Sequence, residues 1–404
     1  MQSVDYLIIG GGIAGTTAAE TIRAHDASVA IAIVEREPYP LYSRVLIPHY
    51  LKKKIEREQL FLRTTADYEK QRIGFYGSAV MVGCDVERHE VTALLGGKES
   101  DEIFSYKKLL IATGGTPKPV PSTLSFGDAI PMLRMQTLSD ADAILDALSG
   151  ASAKEAAVLG EGFIAMEFIE TFFINGFRVH ALCRGGLFGE KRLGVQGARM
   201  LEELYQKHGI RFYKNIKDEE IARRDVWLAE KSKPFPIAVV GAGIGLARSL
   251  DMFGALTSNR GIVANEYLQT SNPNVYTAGD VAEWFDNLKG RHTLVGNWTN
   301  AFVQGRIAAL NMLGHKTPLR TVPTYNIVNF GINVTFVGDI EGEDDVWEEV
   351  GTVVHPFLRR VLFQSGKTIG GVLINRFSDK TRLASLIEAG ASRNDVEKTF
   401  QLLQ

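Results

Sequence analysis

The chain has 404 residues, of which 45% are apolar and 23% are charged, and its formal net charge is −2. The length predicts two or three domains, and the near-neutral charge excludes a global attraction to nucleic acid or to acidic lipid. With only two cysteines, a disulfide framework and a cysteine-rich iron–sulfur or zinc site are excluded.

The first predicted unit is a strand, a glycine loop and a helix. An apolar run over residues 5–9 ends in the sequence G-G-G-I-A-G, which fits G-x-G-x-x-G in the strand-to-helix context that the motif requires. Gly10 permits the tight turn, Gly12 lets the backbone approach a pyrophosphate, and Gly15 lets the helix pack closely on the strand. The helix N-terminus then offers free N–H groups to the phosphates.

A second apolar run, residues 29–34, completes this βαβ unit and ends at Glu35. Glu35 lies twenty residues past Gly15, where an acid accepts hydrogen bonds from a ribose hydroxyl. We therefore predict that the loop binds a dinucleotide, which is either NAD or FAD on this pattern alone.

The next elements predict a second βαβ unit. It starts at residues 156–160 and continues through an apolar helix to a strand over residues 178–182. Its loop, G-E-G-F-I-A, is the weaker match, because Glu161 would repel a pyrophosphate. Two such units predict two doubly wound domains rather than a barrel.

Three further segments receive simpler interpretations. We interpret the glycine-rich residues 241–245, which follow an apolar run, as a turn between domains. The charged residues 51–58 are predicted to be a solvated helix face, with the docking of an acidic electron carrier as the alternative. Past about residue 320, alternating runs predict antiparallel strands followed by a helical tail from Asp379.

A family resemblance joins the distant motifs. The N-terminal glycine loop, the A-T-G of residues 112–114 and the strand of residues 274–280, which ends in Gly-Asp, together resemble the pyridine nucleotide–disulfide reductase superfamily. In that superfamily the aspartate, here Asp280, binds the FAD ribitol, so the resemblance implies FAD. Residues 40–44 and 296–306 are similar to the branch of NADH–rubredoxin reductases and the flavin domain of nitrite reductase.

The resemblance also implies which residues hold each cofactor. For FAD they are Gly10, Gly12, Ile13, Ala14, Gly15, Glu35, Arg36, Arg44, Ala79, Val80, Ala112, Thr113, Gly114, Gly279, Asp280 and Trp298. For NADH or NADPH they are Gly160, Gly162, Phe163, Ile164 and Arg184. Glu167 matches a family glutamate that lies near the nicotinamide and the flavin. We take Glu167 and Arg44 as catalytic candidates, with a surface arginine paired to a carboxylate as the alternative for Arg44.

Redox cysteines of the superfamily are missing from this chain. Its disulfide reductases carry a cysteine pair after the first ribose acid, and its peroxidases and coenzyme A disulfide reductases carry one cysteine there, but residues 42–49 contain none. Reactions that need a thiolate are therefore excluded. Cys84 and Cys183 are predicted to be small packed hydrophobes, so electrons must pass through the flavin alone.

The choice of pyridine nucleotide stays open. Alignment with the family puts Cys183 where NADH-specific members have a glutamate, and Arg184 follows. An arginine there could pair with the 2′-phosphate of NADPH or be a surface residue with no ligand. The segment 214–236 is shorter than is usual for the family, which favours a reduced or vestigial NAD(P) domain as the alternative to a working one.

The predicted fold is α/β, with two Rossmann-like dinucleotide-binding domains and a small α+β C-terminal domain. Residues 1–118 and 245–320 form the FAD-binding domain, residues 119–244 the NAD(P)-binding-like domain, and residues 321–404 the interface-type domain. We expect a cytoplasmic FAD-dependent oxidoreductase that passes electrons from NAD(P)H to a protein acceptor such as rubredoxin or ferredoxin. The alternative is an FAD-carrying electron-transfer subunit of a larger redox complex.

Other partners are excluded or left open. The eight histidines form no cluster typical of a metal site. No apolar run approaches the roughly 20 residues that span a bilayer, and no signal-peptide pattern is present. We therefore expect no metal, no nucleic acid and no membrane partner, while a homodimer is compatible with the family.

Overall fold

The computed structural model describes residues 1–96, 101–120, 130–216, 237–352 and 354–401. Most of the segment 214–236, which the sequence predicts to be short for the family, lies outside them. The described residues form two compact units, the first within residues 1–45, 57–116 and 247–323 and the second within residues 46–56, 117–246 and 324–404. Among the described residues, no helix is long and apolar enough to cross a membrane.

The elements follow in chain order. The strands are β1 (Gln2–Ile9), β2 (Ile31–Val34), β3 (Ile73–Tyr76), β4 (Ala79–Asp85), β5 (Glu90–Leu95), β6 (Asp101–Ile111), β7 (Thr116–Pro117), β8 (Met132–Leu133), β9 (Glu155–Leu159), β10 (Arg178–Leu182), β11 (Arg211–Tyr213), β12 (Val239–Ala242), β13 (Leu246–Ala247), β14 (Ile262–Ala264), β15 (Val275–Thr277), β16 (Ala282–Asp286), β17 (Arg291–Thr293), β18 (Thr324–Asn329), β19 (Ile332–Gly338), β20 (Asp345–Val350), β21 (Leu358–Gln364) and β22 (Lys367–Ile374). The helices are α1 (Ile13–His25), α2 (Ile47–Leu51), α3 (Thr65–Lys70), α4 (Leu138–Gly150), α5 (Phe163–Ile174), α6 (Glu190–Lys207), α7 (Trp298–Met312), α8 (Lys380–Glu388) and α9 (Arg393–Gln401). Short 3-10 turns lie at Arg44–Leu46, Arg57–Leu60, Asp251–Phe253 and Phe377–Asp379.

The first unit is built on a sheet with the order β3-β2-β1-β6-β5-β4, and β15 also pairs with β6. Strand β1 runs parallel to β2 and to β6. The inner strands are apolar on both sides because both faces of such a sheet are covered: Leu7 and Ile8 have no exposed surface although they point to opposite faces. A second sheet of this unit has the order β14-β16-β17.

The second unit contains two sheets of different kinds. The order β11-β10-β9-β12-β8 is parallel at every pairing, and the order β18-β19-β22-β21-β20 is antiparallel. Helix α8 packs on β19 and β22. The mixed α/β class predicted from the sequence is therefore confirmed, including the antiparallel strands past residue 320. The finer division into three domains stays a prediction.

Candidate functional site

The first glycine loop joins β1 to α1. Gly10 has a φ of +107°, and a Cβ there would lie 2.3 Å from the Ala112 carbonyl oxygen. A Cβ on Gly15 would lie 1.9 Å from the Gly10 carbonyl oxygen, whereas a Cβ on Gly12, which precedes α1, would meet nothing within 4 Å. The backbone therefore requires glycine at the turn and at the helix contact, and it leaves open space where a phosphate group would approach.

Glu35 follows β2 and lies against this loop. Its Oε2 accepts a hydrogen bond of 2.5 Å from the N–H of Gly11, and its carbonyl accepts one of 2.8 Å from Ala79. Arg36 and Val80, the residues that follow Glu35 and Ala79, are exposed. The predicted ribose acid is thus fixed at the end of β2, beside the glycine loop.

Two other motifs reach the same edge of the sheet. Residues 112–114 follow β6, and residues 279–280 lie just past β15, which pairs with β6. Gly114 has a φ of +65° and open space around it. Gly279 has a φ of +83° and donates its N–H to Oε1 of Gln304 at 2.6 Å. Because the carboxyl ends of parallel strands meet at one edge, all three FAD motifs, with Thr113 between them, come together.

Asp280 brings a carboxylate to this edge. Burial raises the pKa of the Asp280 carboxyl, and the charges of Arg248 and Arg44 lower it in part. Its carbonyl accepts a hydrogen bond from Arg248, and a Cβ on Gly296 would lie 2.8 Å from its Oδ2. Hydroxyl groups that donate hydrogen bonds to a partly buried carboxylate stabilise its charged form. This carboxylate and the open space at Gly12 fit a dinucleotide with a polyol chain, as FAD has.

Helix α7 packs against α1, next to this edge of the sheet. The Asn297 side chain caps it by accepting a hydrogen bond of 2.8 Å from the N–H of Asn300, and half-buried Trp298 is its first residue. A Cβ on Gly305 would lie 2.2 Å from the carbonyl oxygen of Ala14. Glycine at this position lets α7 pack directly on α1, the helix that follows the first glycine loop.

Arg44 lies in a 3-10 turn and pairs with Glu37. Its Nη2 lies 2.5 Å from Glu37 Oε1, and the hydroxyl of Tyr42 donates to Oε2 of the same carboxylate at 2.7 Å. An arginine paired with a carboxylate is the arrangement that the alternative interpretation of Arg44 predicted. Arg44 also lies close enough to Asp280 to lower the pKa of that carboxyl. A catalytic role for Arg44 stays a prediction.

The second glycine loop makes the same turn as the first at its leading glycine. Gly160 also has a φ of +107°, and a Cβ there would lie 2.3 Å from the carbonyl oxygen of Gly243. Gly162 precedes α5, and a Cβ on Gly243 would lie 2.5 Å from the N atom of Ala165. Residues 241–245 therefore stand beside the second loop as Ala112 stands beside the first.

In the second unit, Cys183 takes the place of the acid that follows the second strand of the first unit. Strand pairing sets Ile9 beside Val34 in the first unit and Leu159 beside Leu182 in the second, so Cys183 occupies the position of Glu35. Cys183 has no exposed surface, and burial raises the pKa of its thiol, with a further contribution from Glu161. A thiolate is therefore disfavoured at this position.

Of the remaining predicted nucleotide-binding residues, Phe163 and Ile164 begin α5, and Arg184 follows Cys183. Phe163 opens α5, and its ring centroid lies 4.6 Å from that of Tyr325. Ile164 and Arg184 are exposed. These positions border the loop, and their binding roles stay predictions.

Glu167 belongs to a buried ion cluster that the sequence did not reveal. Lys52 Nζ lies 2.7 Å from Glu167 Oε2 and 2.5 Å from Glu170 Oε2, and the Lys52 side chain is 1% exposed. The prediction of a solvated helix face over residues 51–58 is wrong here: α2 ends at Leu51, and the next side chain turns inward to the two carboxylates. Lys53 and Lys54 remain exposed.

Charge and hydrogen bonds hold this cluster in place. Burial would lower the pKa of Lys52, but the two carboxylates raise it above its ordinary value. Burial raises the pKa of Glu167, and Lys52 opposes this shift. Glu170 accepts a hydrogen bond of 2.8 Å from the N–H of Phe330 and one of 3.3 Å from the Asn329 amide. The signal that could have found the cluster is the pair of acids, three residues apart, on the otherwise apolar helix α5.

Metal ligands are not grouped in the described ranges: no set of three or more His, Cys, Asp or Glu side chains there could hold an ion.

Comparisons with known proteins support this assignment. A family model described as pyridine nucleotide-disulphide oxidoreductase matches residues 4–305. The chain is 26% identical over 410 residues to nitrite reductase (NAD(P)H) of Bacillus subtilis, covering 98% of this chain and 49% of that protein. It is 27% identical over 384 residues to putidaredoxin reductase of Pseudomonas putida, covering 92% and 89%. A solved structure, the covalent putidaredoxin reductase–putidaredoxin complex, matches with a TM-score of 0.83 at 24% identity, covering 96% of this chain and 94% of that one.

Identity this low in a solved structure shows the fold alone. The chain also spans about half the length of the first curated relatives that it matches. The relatives' names therefore describe those proteins, and the activity of this chain has to be argued from its own residues.

Proposed function

Because the chain belongs to the pyridine nucleotide-disulphide oxidoreductase family, we propose that it is an FAD-dependent oxidoreductase that passes electrons from NAD(P)H to a protein acceptor. The observation that carries the proposal is the pair of matching glycine loops. Gly10 and Gly160 share a φ of +107°, each loop precedes a helix, and one loop lies in each compact unit. A chain with two dinucleotide loops is suited to hold an electron donor and a resident flavin.

The first unit is the proposed FAD site. Its glycine loop would receive the pyrophosphate, Glu35 the adenosine ribose, and Asp280 the ribitol hydroxyls. When bound, a flavin can accept a hydride and release the electrons singly. The acid at Glu35 and the open space at Gly12 support this assignment.

The second unit is the proposed NAD(P)H site. Glu167, oriented by Lys52, would lie at the nicotinamide end, and the loop from Gly160 to Ala165 would receive the pyrophosphate. Lys52 fixes the carboxylate of Glu167 through a contact of 2.7 Å, so this side chain is preorganised.

The proposed acceptor is a small electron-carrier protein of the rubredoxin or ferredoxin type. The described cysteines support an acceptor outside the chain, since Cys183 is buried and burial raises the pKa of Cys84 to about 11. The similarity to a protein named putidaredoxin reductase supports a protein acceptor. Two electrons from each NAD(P)H would reduce two one-electron carriers.

The second candidate function is an electron-transfer subunit whose FAD is reduced by a partner protein. Cys183, which stands where the first unit has Glu35, is the observation that favours it. In that case the second unit would be a structural remnant.

One experiment separates these functions. The purified yellow protein is mixed anaerobically with NADH or NADPH, and the flavin absorbance band is followed. We expect rapid bleaching by at least one nucleotide, and reoxidation when oxidised rubredoxin or ferredoxin is added. If neither nucleotide bleaches a flavin that dithionite does reduce, the NAD(P)H reaction is refuted and the subunit function takes its place.

A further inference from the structure

The two glycine loops carry an acid at exchanged positions. In the first unit the middle loop residue is Gly11, and the acid Glu35 follows the second strand. In the second unit the middle loop residue is the acid Glu161, and Cys183 follows the strand in the register of Glu35. The acid and the small residue have therefore traded places between the two units.

Space explains why the exchange has to be reciprocal. A Cβ on Gly11 would lie 3.2 Å from both Cβ and Oε2 of Glu35, so the first loop has no room for a side chain beside that acid. Cys183 is smaller than glutamate and fully buried. Its size leaves the equivalent space in the second unit to the side chain of Glu161.

Hydrogen bonds place both carboxylates between loop and strand end. Glu35 reaches back from the strand and accepts from the N–H of Gly11 at 2.5 Å. Glu161 reaches out from the loop and accepts from the N–H of Gly185, two residues past Cys183, at 2.8 Å. A Cβ on Gly185 would lie 3.2 Å from Oε2 of Glu161, so glycine there makes room for the carboxylate.

We propose that Glu161 is the ribose-binding carboxylate of the second unit and that it selects NADH over NADPH. The proposal rests on the proposed function, because it assumes that the second loop receives a pyridine nucleotide. Oε2 of Glu161 accepts no hydrogen bond from any residue that the structure describes, so it can accept from a ribose hydroxyl. A 2′-phosphate at the same place would meet like charge and be rejected.

Arg192 offsets the charge that Glu161 adds to the loop. A Cβ on Gly162 would lie 3.5 Å from Nη1 of Arg192, and the guanidinium lies 5.5 Å from the ring centroid of Phe163. Within the described ranges Arg192 forms no ion pair. A cation at the start of α5 attracts a pyrophosphate, while the Glu161 carboxylate is held at the strand end.

Binding can be measured without turnover. The flavin-loaded protein is titrated calorimetrically with ADP-ribose and with 2′-phospho-ADP-ribose, which contain the ribose and pyrophosphate but no nicotinamide. We expect ADP-ribose to bind at least about tenfold more tightly. Glu161→Gln keeps the shape and removes the charge, so it should weaken ADP-ribose about tenfold and abolish the discrimination. Glu203→Gln, an exposed acid on α6, should keep the wild-type preference.

A second variant tests the exchange itself. The double substitution Glu161→Gly with Cys183→Glu rebuilds the arrangement of Gly11 and Glu35, and it should restore the preference for ADP-ribose that Glu161→Gly alone loses. Tighter binding of 2′-phospho-ADP-ribose by the wild type would overturn the proposal, as would an unchanged ratio in Glu161→Gln. Binding of neither ligand would also overturn it. Tight ADP-ribose binding without flavin reduction by NADH would instead refute the proposed function and leave Glu161 in its role.

Discussion

Lys52 and Glu167 form a partly buried ion pair with 2.7 Å between Nζ and Oε2, although 115 residues separate them in the chain. Glu170 adds a second carboxylate to the same ammonium. Removal of Lys52 would leave a buried acid, Glu170, and a partly buried one, Glu167, without their cation, which is more costly than the loss of a surface pair.

We expect Lys52→Met to lower the free energy of unfolding by about 3–5 kcal/mol at neutral pH. Burial raises the pKa of Glu167 in the folded protein, and without Lys52 the rise should be larger. The folded variant then binds more protons than the unfolded chain, so its stability should increase as the pH falls from about 8 towards 5. Thermal unfolding across this range checks the slope. The exposed neighbour Lys53→Met should stay within about 0.5 kcal/mol of the wild type, and an equal melting temperature for Lys52→Met would contradict the cluster.

Asp280→Ala should lose FAD during purification and keep its fold. The Asp280 carboxylate would no longer be present to accept hydrogen bonds from the ribitol, which should weaken flavin binding about tenfold or more. The ratio of flavin to protein absorbance measures retention, and circular dichroism checks the fold. Asp251→Ala removes an exposed acid from the same unit and should keep its flavin. Full retention by Asp280→Ala would count against the ribitol assignment.

Gly305→Ala should destabilise the first unit by about 1–3 kcal/mol, because the new Cβ would press on the Ala14 carbonyl oxygen at 2.2 Å and push α7 away from α1. Urea unfolding measures the change. Gly150→Ala is the matched control, since a Cβ at that end of α4 meets nothing within 4 Å, and it should be neutral or stabilising by up to about 1 kcal/mol. Equal effects of the two substitutions would rule out the close helix contact.

Thiol reagents should react slowly with the native protein. The pKa of Cys84 is raised to about 11 by burial, so its rate of modification should rise about tenfold per pH unit between pH 8 and 10. Cys183 has no exposed surface and should react only after unfolding. Reaction with a chromogenic disulfide measures both rates. Rapid modification at pH 7 would contradict the exclusion of reactions that need a thiolate.

The sequence predicted those parts of the fold in which local chemistry decides the outcome. The glycine loops and Glu35 could be predicted because glycines such as Gly10 and Gly15 meet a requirement of the backbone within one βαβ unit. The burial of Lys52 could not be predicted, because its neighbours in sequence are exposed lysines and its partners lie on α5. Burial of a charge depends on which distant side chain faces it, and a charged run carries no sign of that.

The position of the Glu161 carboxylate could not be predicted from the sequence either. A carboxylate inside a glycine loop suggests repulsion of a phosphate, and only the hydrogen bond to Gly185 shows where the side chain goes. The register of β9 with β10 then assigns Cys183 to the position of Glu35. The sequence places Glu161 in the loop and Cys183 at the acid's position, whereas the similar placement of the Glu161 and Glu35 carboxylates becomes visible only when the two units are compared atom by atom.

The pairing of β15 with β6 has a consequence for synthesis of the chain. Ile111 and Thr277, joined through the carbonyl and the hydroxyl at 3.2 Å, are 166 residues apart. At about 5–20 residues per second, a ribosome would need roughly 8–33 seconds between these two strands. Throughout that interval the end of β6 pairs with β1 on one side only, and its other, apolar edge is open to pairing with other chains.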